Sequence, residues 1–259
     1  MPPGERGVSE LPDPIPAATL ILIRAVTAGA PELLFMERAQ TMAFAAGALV
    51  FPGGRIDPDD AFLAERFGAG LEWAAARVAA IRETLEETGI AAGLSPLPSP
   101  LAAAELRREI EDGAPISALL ESYGLSLDLA ALTPFARWCP TFKEARRFDT
   151  IFFVAEAPEG ARRGAANEAE AVRTFWATAA QVLEDADAGR ARIIFPTRRN
   201  LERLARLGSI EEAREDAARH PVEKIVPWIE ERGGEKWLRI PDGAGYPVTE
   251  ELLDTARRT

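Results

Sequence analysis

Arg82-Glu83-Thr84-Leu85-Glu86-Glu87-Thr88-Gly89-Ile90, taken together with Phe51-Pro52-Gly53-Gly54 upstream, is the stretch that decides the fold. On a helix, Glu83, Glu86 and Glu87 stand at i, i+3 and i+4, so their carboxylates share one face, while Ile81 and Leu85 point towards a core. Like charges at that spacing destabilise an isolated helix by roughly 0.2–0.5 kcal/mol per pair. A hard divalent cation reverses that sign, because it takes oxygen ligands and neutralises the cluster. A solvated acidic stripe is the competing reading of the same pattern. The surrounding chain has to decide between them.

Upstream, residues 18–26 are aliphatic and β-branched, and 32–37 form a second apolar run. Thr27-Ala28-Gly29-Ala30-Pro31 between them supplies turn residues, so a hairpin is expected. A third short strand, 48–51, ends at Pro52-Gly53-Gly54, where two glycines let a backbone carbonyl approach an ion or ligand closely. Asp57 is placed as an N-cap with Pro58 in the first turn and Asp60 three positions from the cap. Helical sequence follows, is broken at Gly68-Ala69-Gly70, and resumes at Leu71 through Thr88. Gly89 is placed to end it.

Further along, Ser95-Pro96-Leu97-Pro98-Ser99-Pro100 precedes two helical stretches, 101–112 and 116–123. These could shape a pocket, form a dimer contact or simply pack. Strands are expected at 137–140, 148–156 and 171–176, where β-branched and aromatic residues cluster. Thr178 or Gln181 starts the next helix, and residues 196–207 read as an amphipathic helix with Leu201, Leu204 and Leu207 at helical spacing. Beyond Ser209 come a charged helix to Arg219 and short strands at 224–227 and 236–240.

Composition excludes several classes. The 259 residues carry a net charge of −11, which leaves no overall basic footprint for duplex nucleic acid or an anionic membrane. Local arginines and a metal still permit a phosphorylated substrate. Cys139 is the only cysteine and His220 the only histidine, so an internal disulfide and Cys- or His-based zinc sites are out. A Ser-His-Asp triad would have to use His220, and no G-x-S-x-G elbow accompanies it. Residues 1–16 hold five prolines and no apolar h-region, so they read as a flexible lead-in. No run approaches the ~18 apolar residues of a membrane span, and a cytoplasmic location is expected.

A strand, a glycine loop and a helix with three glutamates on one face resemble the Nudix hydrolases, whose signature is G-x5-E-x7-R-E-U-x-E-E-x-G-U, with U a bulky aliphatic residue. Arg82 to Ile90 fits the second half except for Thr84, at an aliphatic position. The first half departs: Gly54 and Arg82 stand 28 positions apart, about 14 more than in the signature. Asp60 sits six after Gly54, where the signature has its first glutamate, which is therefore either conservatively replaced or displaced by the insertion. An insert inside the box is similar to the motif-19-like branch, which includes a coenzyme A diphosphatase. Phe51 to Asp57, Ala80 to Glu83, Trp138 with Pro140-Thr141, Arg147 to Phe153, and Phe195-Pro196-Thr197 resemble that branch too. Another coenzyme A motif, preceding the box, is matched by Arg38, Gly47 and Phe51-Pro52-Gly53-Gly54 but not at Met42, Ala43 and Ala45.

The resemblance implies an α/β (α+β) fold: a Nudix-type α/β/α sandwich with a mixed sheet, an inserted helical segment and a small C-terminal appendage. Its boundaries would be 1–16 for the lead-in, 17–208 for the hydrolase domain and 209–259 for the appendage, with a box insertion at about 58–73 and a helical insertion at about 95–130. It implies hydrolysis of the diphosphate bond of a small nucleoside-diphosphate derivative, coenzyme A or acyl-coenzyme A favoured, assisted by Mg2+ or Mn2+. ADP-ribose, NADH or another dinucleotide is the alternative substrate, and a ligand sensor keeping the fold without catalysis is the alternative class. Glu83, Glu86, Glu87 and the Gly54 carbonyl are the implied metal ligands, with Arg82 holding the glutamate rotamers. Glu168 or Glu170 would supply the general base. Arg38, Arg55, Arg146 and Arg147 are candidates for phosphate binding, Arg55 being best placed beside the glycine loop. A homodimer is compatible with the inserted helices.

Overall fold

The computed structural model describes residues 13–39, 46–140, 147–161 and 171–256. In chain order, β1 (Ile15–Arg24) and β2 (Glu32–Arg38) form the expected hairpin, with Ile23 opposite Leu33. β3 (Ala48–Val50) and β4 (Gly53–Arg55) flank Phe51-Pro52, and α1 (Pro58–Phe67) and α2 (Ala74–Thr88) follow. A small unit comes next: β5 (Leu94–Ser95), α3 (Pro100–Glu111), α4 (Ile116–Ser122) and β6 (Ser126–Leu127), closed by β5–β6 pairing. Then come β7 (Thr133–Trp138), β8 (Phe148–Glu156), β9 (Ala171–Thr178), α5 (Ala179–Asp187), β10 (Arg192–Ile193) and α6 (Phe195–Leu204). The chain goes on through α7 (Ile210–Arg219), β11 (Lys224–Ile225), β12 (Trp228–Arg232), β13 (Glu235–Arg239), β14 (Glu250–Leu252) and α8 (Leu253–Ala256).

The main sheet is mixed, in the order β10-β3-β2-β1-β8-β7-β11, with β4 also pairing β1 and β9 pairing β2. β1 lies at its centre, parallel to β8 from Ile15–Phe148 to Ile23–Glu156. Side chains alternate across a strand, so Ala18, Leu20 and Leu22 enter one core and Ile21 and Ile23 the other. That two-sided burial is why β1 reads as a continuous apolar run. α1 to α4 cover the first face, while α5, α6, α7 and the C-terminal strands cover the second. The expected layered fold is therefore present. No described helix is long and apolar enough to cross a membrane.

Several element boundaries move. α2 begins at Ala74, three residues after the expected Leu71, because Trp73 takes a left-handed conformation (φ 54°) that cannot continue a helix. Gly89 does end it: the residue is left-handed (φ 71°) and its N–H donates to the Leu85 carbonyl at 2.8 Å. Thr178 is the N-cap of α5 in a reciprocal box with Gln181. α6 spans Phe195–Leu204 and is not a surface amphipathic helix, since Arg198, Arg199, Asn200 and Arg203 are buried together with Leu201 and Leu204. Residues beyond 209 cover its polar side: Arg199 pairs with Glu251 and Arg203 with Asp216.

Candidate active site

β4 carries Gly53 and Gly54 along the N-terminal half of β1, with Gly53 opposite Thr19 and Gly54 opposite Ala18. A Cβ on Gly53 would run into the backbone of Ala18 and Thr19, so the first glycine lets β4 close on β1. A Cβ on Gly54 would lie within 2.7 Å of all three Glu83 carboxylate atoms. The second glycine therefore leaves the space that the Glu83 carboxylate fills. One residue earlier, the Gly53 N–H donates to Glu87 at 2.8 Å, tying the glycine loop to α2.

Arg82 is the hub of the face. One terminal nitrogen donates to Glu83 at 2.9 Å and to Glu86 at 3.4 Å, and the other donates to the Arg55 carbonyl at 2.9 Å. Nε and that second nitrogen both bind Asp60, at 3.0 and 2.9 Å. Burial alone would lower the pKa of this guanidinium. Hydrogen bonds to Asp60 and Glu83, and their negative charges, outweigh it and raise the pKa, so Arg82 is a fixed cation.

Asp60 is the residue that sequence reasoning could not place. The 58–73 segment folds as α1 against α2 and returns Asp60 to Arg82, wholly buried. Its carboxylate also accepts the Asp57 N–H at 2.8 Å. The buried charge is thus paired and accepts three hydrogen bonds, the condition under which burial is tolerated. The extra residues do not remove an acidic partner from the box but supply one. Two signals pointed to it, the capping pattern Asp57-Pro58-x-Asp60 and its place six after Gly54, where the signature has its first glutamate, and neither revealed the contact with Arg82.

Thr84, the departure from the aliphatic pattern, is also wholly buried. Its hydroxyl donates to the Ala80 carbonyl one turn back at 2.7 Å, which satisfies the polar atom inside the helix. The other candidates are less gathered. Arg55 is exposed and meets the site through its carbonyl. Arg147 ends beside Cys139, with 3.9 Å from guanidinium nitrogen to sulfur, and its carbonyl accepts the Ile15 N–H. Arg38 closes β2 opposite Ala171. Glu168, Glu170, Arg146, Thr141, Met42, Ala43 and Ala45 lie outside the described residues.

Among the described residues, no three His, Cys, Asp or Glu side chains converge as a closed metal-ligand set. Glu83 and Glu86 are drawn to Arg82, and Glu87 to the Gly53 N–H. The donor chemistry nevertheless fits a hard divalent cation. Glu83 and Glu86 share one guanidinium nitrogen, Glu83 rests against a glycine backbone, and all the side-chain donors are carboxylate oxygens.

A mixed sheet between helical layers, with a glycine loop closing on a helix of three glutamates, defines a Nudix-type α/β/α protein. No protein-family profile matches the chain. Comparison with solved structures settles its family: it is 30% identical to a Nudix hydrolase from Alicyclobacillus acidocaldarius, over 78% of this chain and 96% of that one, with a TM-score of 0.69. The chain belongs to the Nudix hydrolases. It is also similar to the acyl-coenzyme A diphosphatase NUDT19 of Gallus gallus, 26% identical over an alignment that covers 76% of this chain and 67% of the relative.

Proposed function

We propose that this Nudix hydrolase is a divalent-cation-dependent pyrophosphohydrolase that cleaves the diphosphate bond of a nucleoside-diphosphate derivative, with coenzyme A or acyl-coenzyme A as the favoured substrate. The observation that carries the reading is Arg82 holding Glu83 and Glu86 beside Gly54 while a buried Asp60 fixes the guanidinium from behind. A helix stripe that served only solubility would not bury its arginine against a second carboxylate. The similarity to an acyl-coenzyme A diphosphatase supports the choice of substrate.

In this reading Glu83, Glu86, Glu87 and the Gly54 carbonyl hold Mg2+ or Mn2+. Held there, such a cation would supply charge compensation for a phosphate group and a more acidic water. Arg82 limits the rotamers of Glu83 and Glu86, and Glu87 sets the distance between glycine loop and helix through the Gly53 N–H. Arg55, Arg38 and Arg147 are the proposed phosphate contacts. Glu170 is the proposed general base. The helical segment at about 95–130 would border the pocket or a dimer contact, and a cytoplasmic setting belongs to the same reading.

The test is phosphate release from coenzyme A, acyl-coenzyme A, ADP-ribose, NADH, diadenosine polyphosphates and capped RNA, with Mg2+ or Mn2+. Turnover of a coenzyme A species above the others is expected. Turnover of ADP-ribose or NADH instead would replace the substrate, and tight binding of one compound without turnover of any would make the protein a sensor. Glu86→Gln should lower turnover at least a hundredfold with the melting temperature kept. Unchanged turnover would remove Glu86 from the ligand set.

A further inference from the structure

α1 begins with two neighbouring aspartates that grip different parts of the molecule. Asp60 faces α2 and takes both Nε and a terminal nitrogen of Arg82. Asp59 faces the other way, to the first turn of α4, where it accepts the Ser117 hydroxyl at 2.6 Å and the Ser117 N–H at 2.9 Å. Each carboxylate uses both of its oxygens, so each fixes an orientation as well as a distance. Further along, among the described residues, α1 is held by apolar packing and close approach: Leu63 is buried in the first core, and Gly68 abuts Ala74 so tightly that a Cβ would clash. Adjacent residues on a helix are rigidly related, at 3.6 per turn, so any rotation at Asp59 is passed to Asp60.

We propose that Asp59 and Ser117 are positioning residues for the carboxylate face: by locking α1 to the first turn of α4, they hold Asp60 square to Arg82 and thereby fix Glu83 and Glu86. The inference rests on the proposed cation-dependent reading of that face and extends it to the helical segment carrying α4. The path runs from Ser117 to Asp59, along one peptide unit to Asp60, then to Arg82 and the two glutamates. It gives the segment at about 95–130 a hold on the site through Ser117. The competing account is that the Asp59–Ser117 contact only stabilises α1 against α4. The two accounts differ in what the contact does to cation affinity at constant stability.

The experiment measures Mn2+ binding to the full chain by titration calorimetry, together with melting temperature and the Mn2+ concentration giving half-maximal turnover. The variants are Ser117→Ala, Ser117→Thr, Asp59→Ala, Asp60→Asn and the Asp59→Ala/Asp60→Asn pair. Removing a group that orients metal ligands typically costs 10–100-fold in affinity, so Asp60→Asn should weaken Mn2+ binding by about that much. Asp59→Ala should weaken it about tenfold, Ser117→Ala should do so less, and Ser117→Thr should restore wild-type affinity. Because Asp59 acts through Asp60, the double variant should bind no more weakly than Asp60→Asn alone, a non-additivity that independent sites do not show. Wild-type Mn2+ affinity in Asp59→Ala and Ser117→Ala would overturn the inference and leave the diphosphatase reading standing, as would additive losses in the double variant. A wild-type chain that neither binds Mn2+ nor turns over any substrate would overturn both.

Discussion

Two adjacent glycines do different work at the site, and substitution should separate them. A methyl on Gly54 meets the end of a flexible side chain, the Glu83 carboxylate, which can move aside at little cost to the fold. Gly54→Ala should therefore keep the melting temperature within about 2 °C while lowering turnover tenfold or more, because the displaced group is a proposed ligand. A methyl on Gly53 meets the backbone of Ala18 and Thr19, which cannot yield without opening the β1–β4 pairing. Overpacking of that kind costs roughly 1–3 kcal/mol, or about 2–10 °C for a chain of this size. Thermal melts beside a turnover assay check both, and equal losses of stability in the two variants would refute the distinction. At this scale the glutamate face, Arg82, Gly89 and the glycine pair were legible because their meaning is local: helical spacing, a left-handed C-cap, an absent side chain. Asp60 was not, because its partner lies 22 residues on across a helix reversal that no periodicity encodes.

Elements were legible where one face of the chain meets one environment. β1 and the β1–β2 turn were of this kind, and so was α2 apart from its first turn, where the left-handed Trp73 delays the start. α6 was not. Leucine spacing describes only half of its surroundings, since Arg199 and Arg203 would be exposed on an isolated helix and are buried here against partners in 209–256, Glu251 and Asp216. The same segment gives Leu238, Ile240, Tyr246 and Leu253 to the second core, and Tyr246 joins Trp138 and Asn200 in a buried hydrogen-bonded chain. Burial of a large apolar side chain is worth roughly 1.5–3 kcal/mol. Four of them rival the ~5–15 kcal/mol net stability of a typical domain. We therefore propose that 209–259 is integral to the fold despite its small size. A chain ending at Leu207 should lose its cooperative melt in circular dichroism and aggregate. A sharp transition at the full-length temperature would show instead that the segment is dispensable.

For the whole molecule, the feature that composition hides most is where the charge sits. A net charge of −11 suggests an acidic surface, yet a charged cluster, largely buried except at Asp187, joins α6, the end of α5 and β14: Glu202 lies 3.0 Å from Arg199 and 3.8 Å from Arg198, Arg198 pairs with Asp187, and Arg199 with Glu251. Burial dominates there, pushing the Glu202 carboxyl up to about 7 against the pull of Arg199 and Arg198, with Glu251 and Asp187 adding to the rise. It also lowers the pKa of Arg199, so both partners report desolvation exceeding their attraction. The folded pKa lies above the ordinary value of 4.5, so between those two values the folded protein keeps a proton that the unfolded chain has released. The contribution of Glu202 to stability is therefore fully present below about pH 4.5 and is lost as pH rises through about 7. Overall self-repulsion of an acidic chain also grows with pH, so the wild-type trend alone does not isolate this group. Comparison with Glu202→Gln at each pH does, because the neutral side chain keeps the shape of the protonated acid. Near pH 5 the two proteins should melt together, and at pH 8 the glutamine variant should melt higher, by on the order of 5 °C. A glutamine variant that melts lower at pH 8 would mean that the pairs with Arg198 and Arg199 outweigh desolvation, making the cluster an ordinary stabilising ion-pair network.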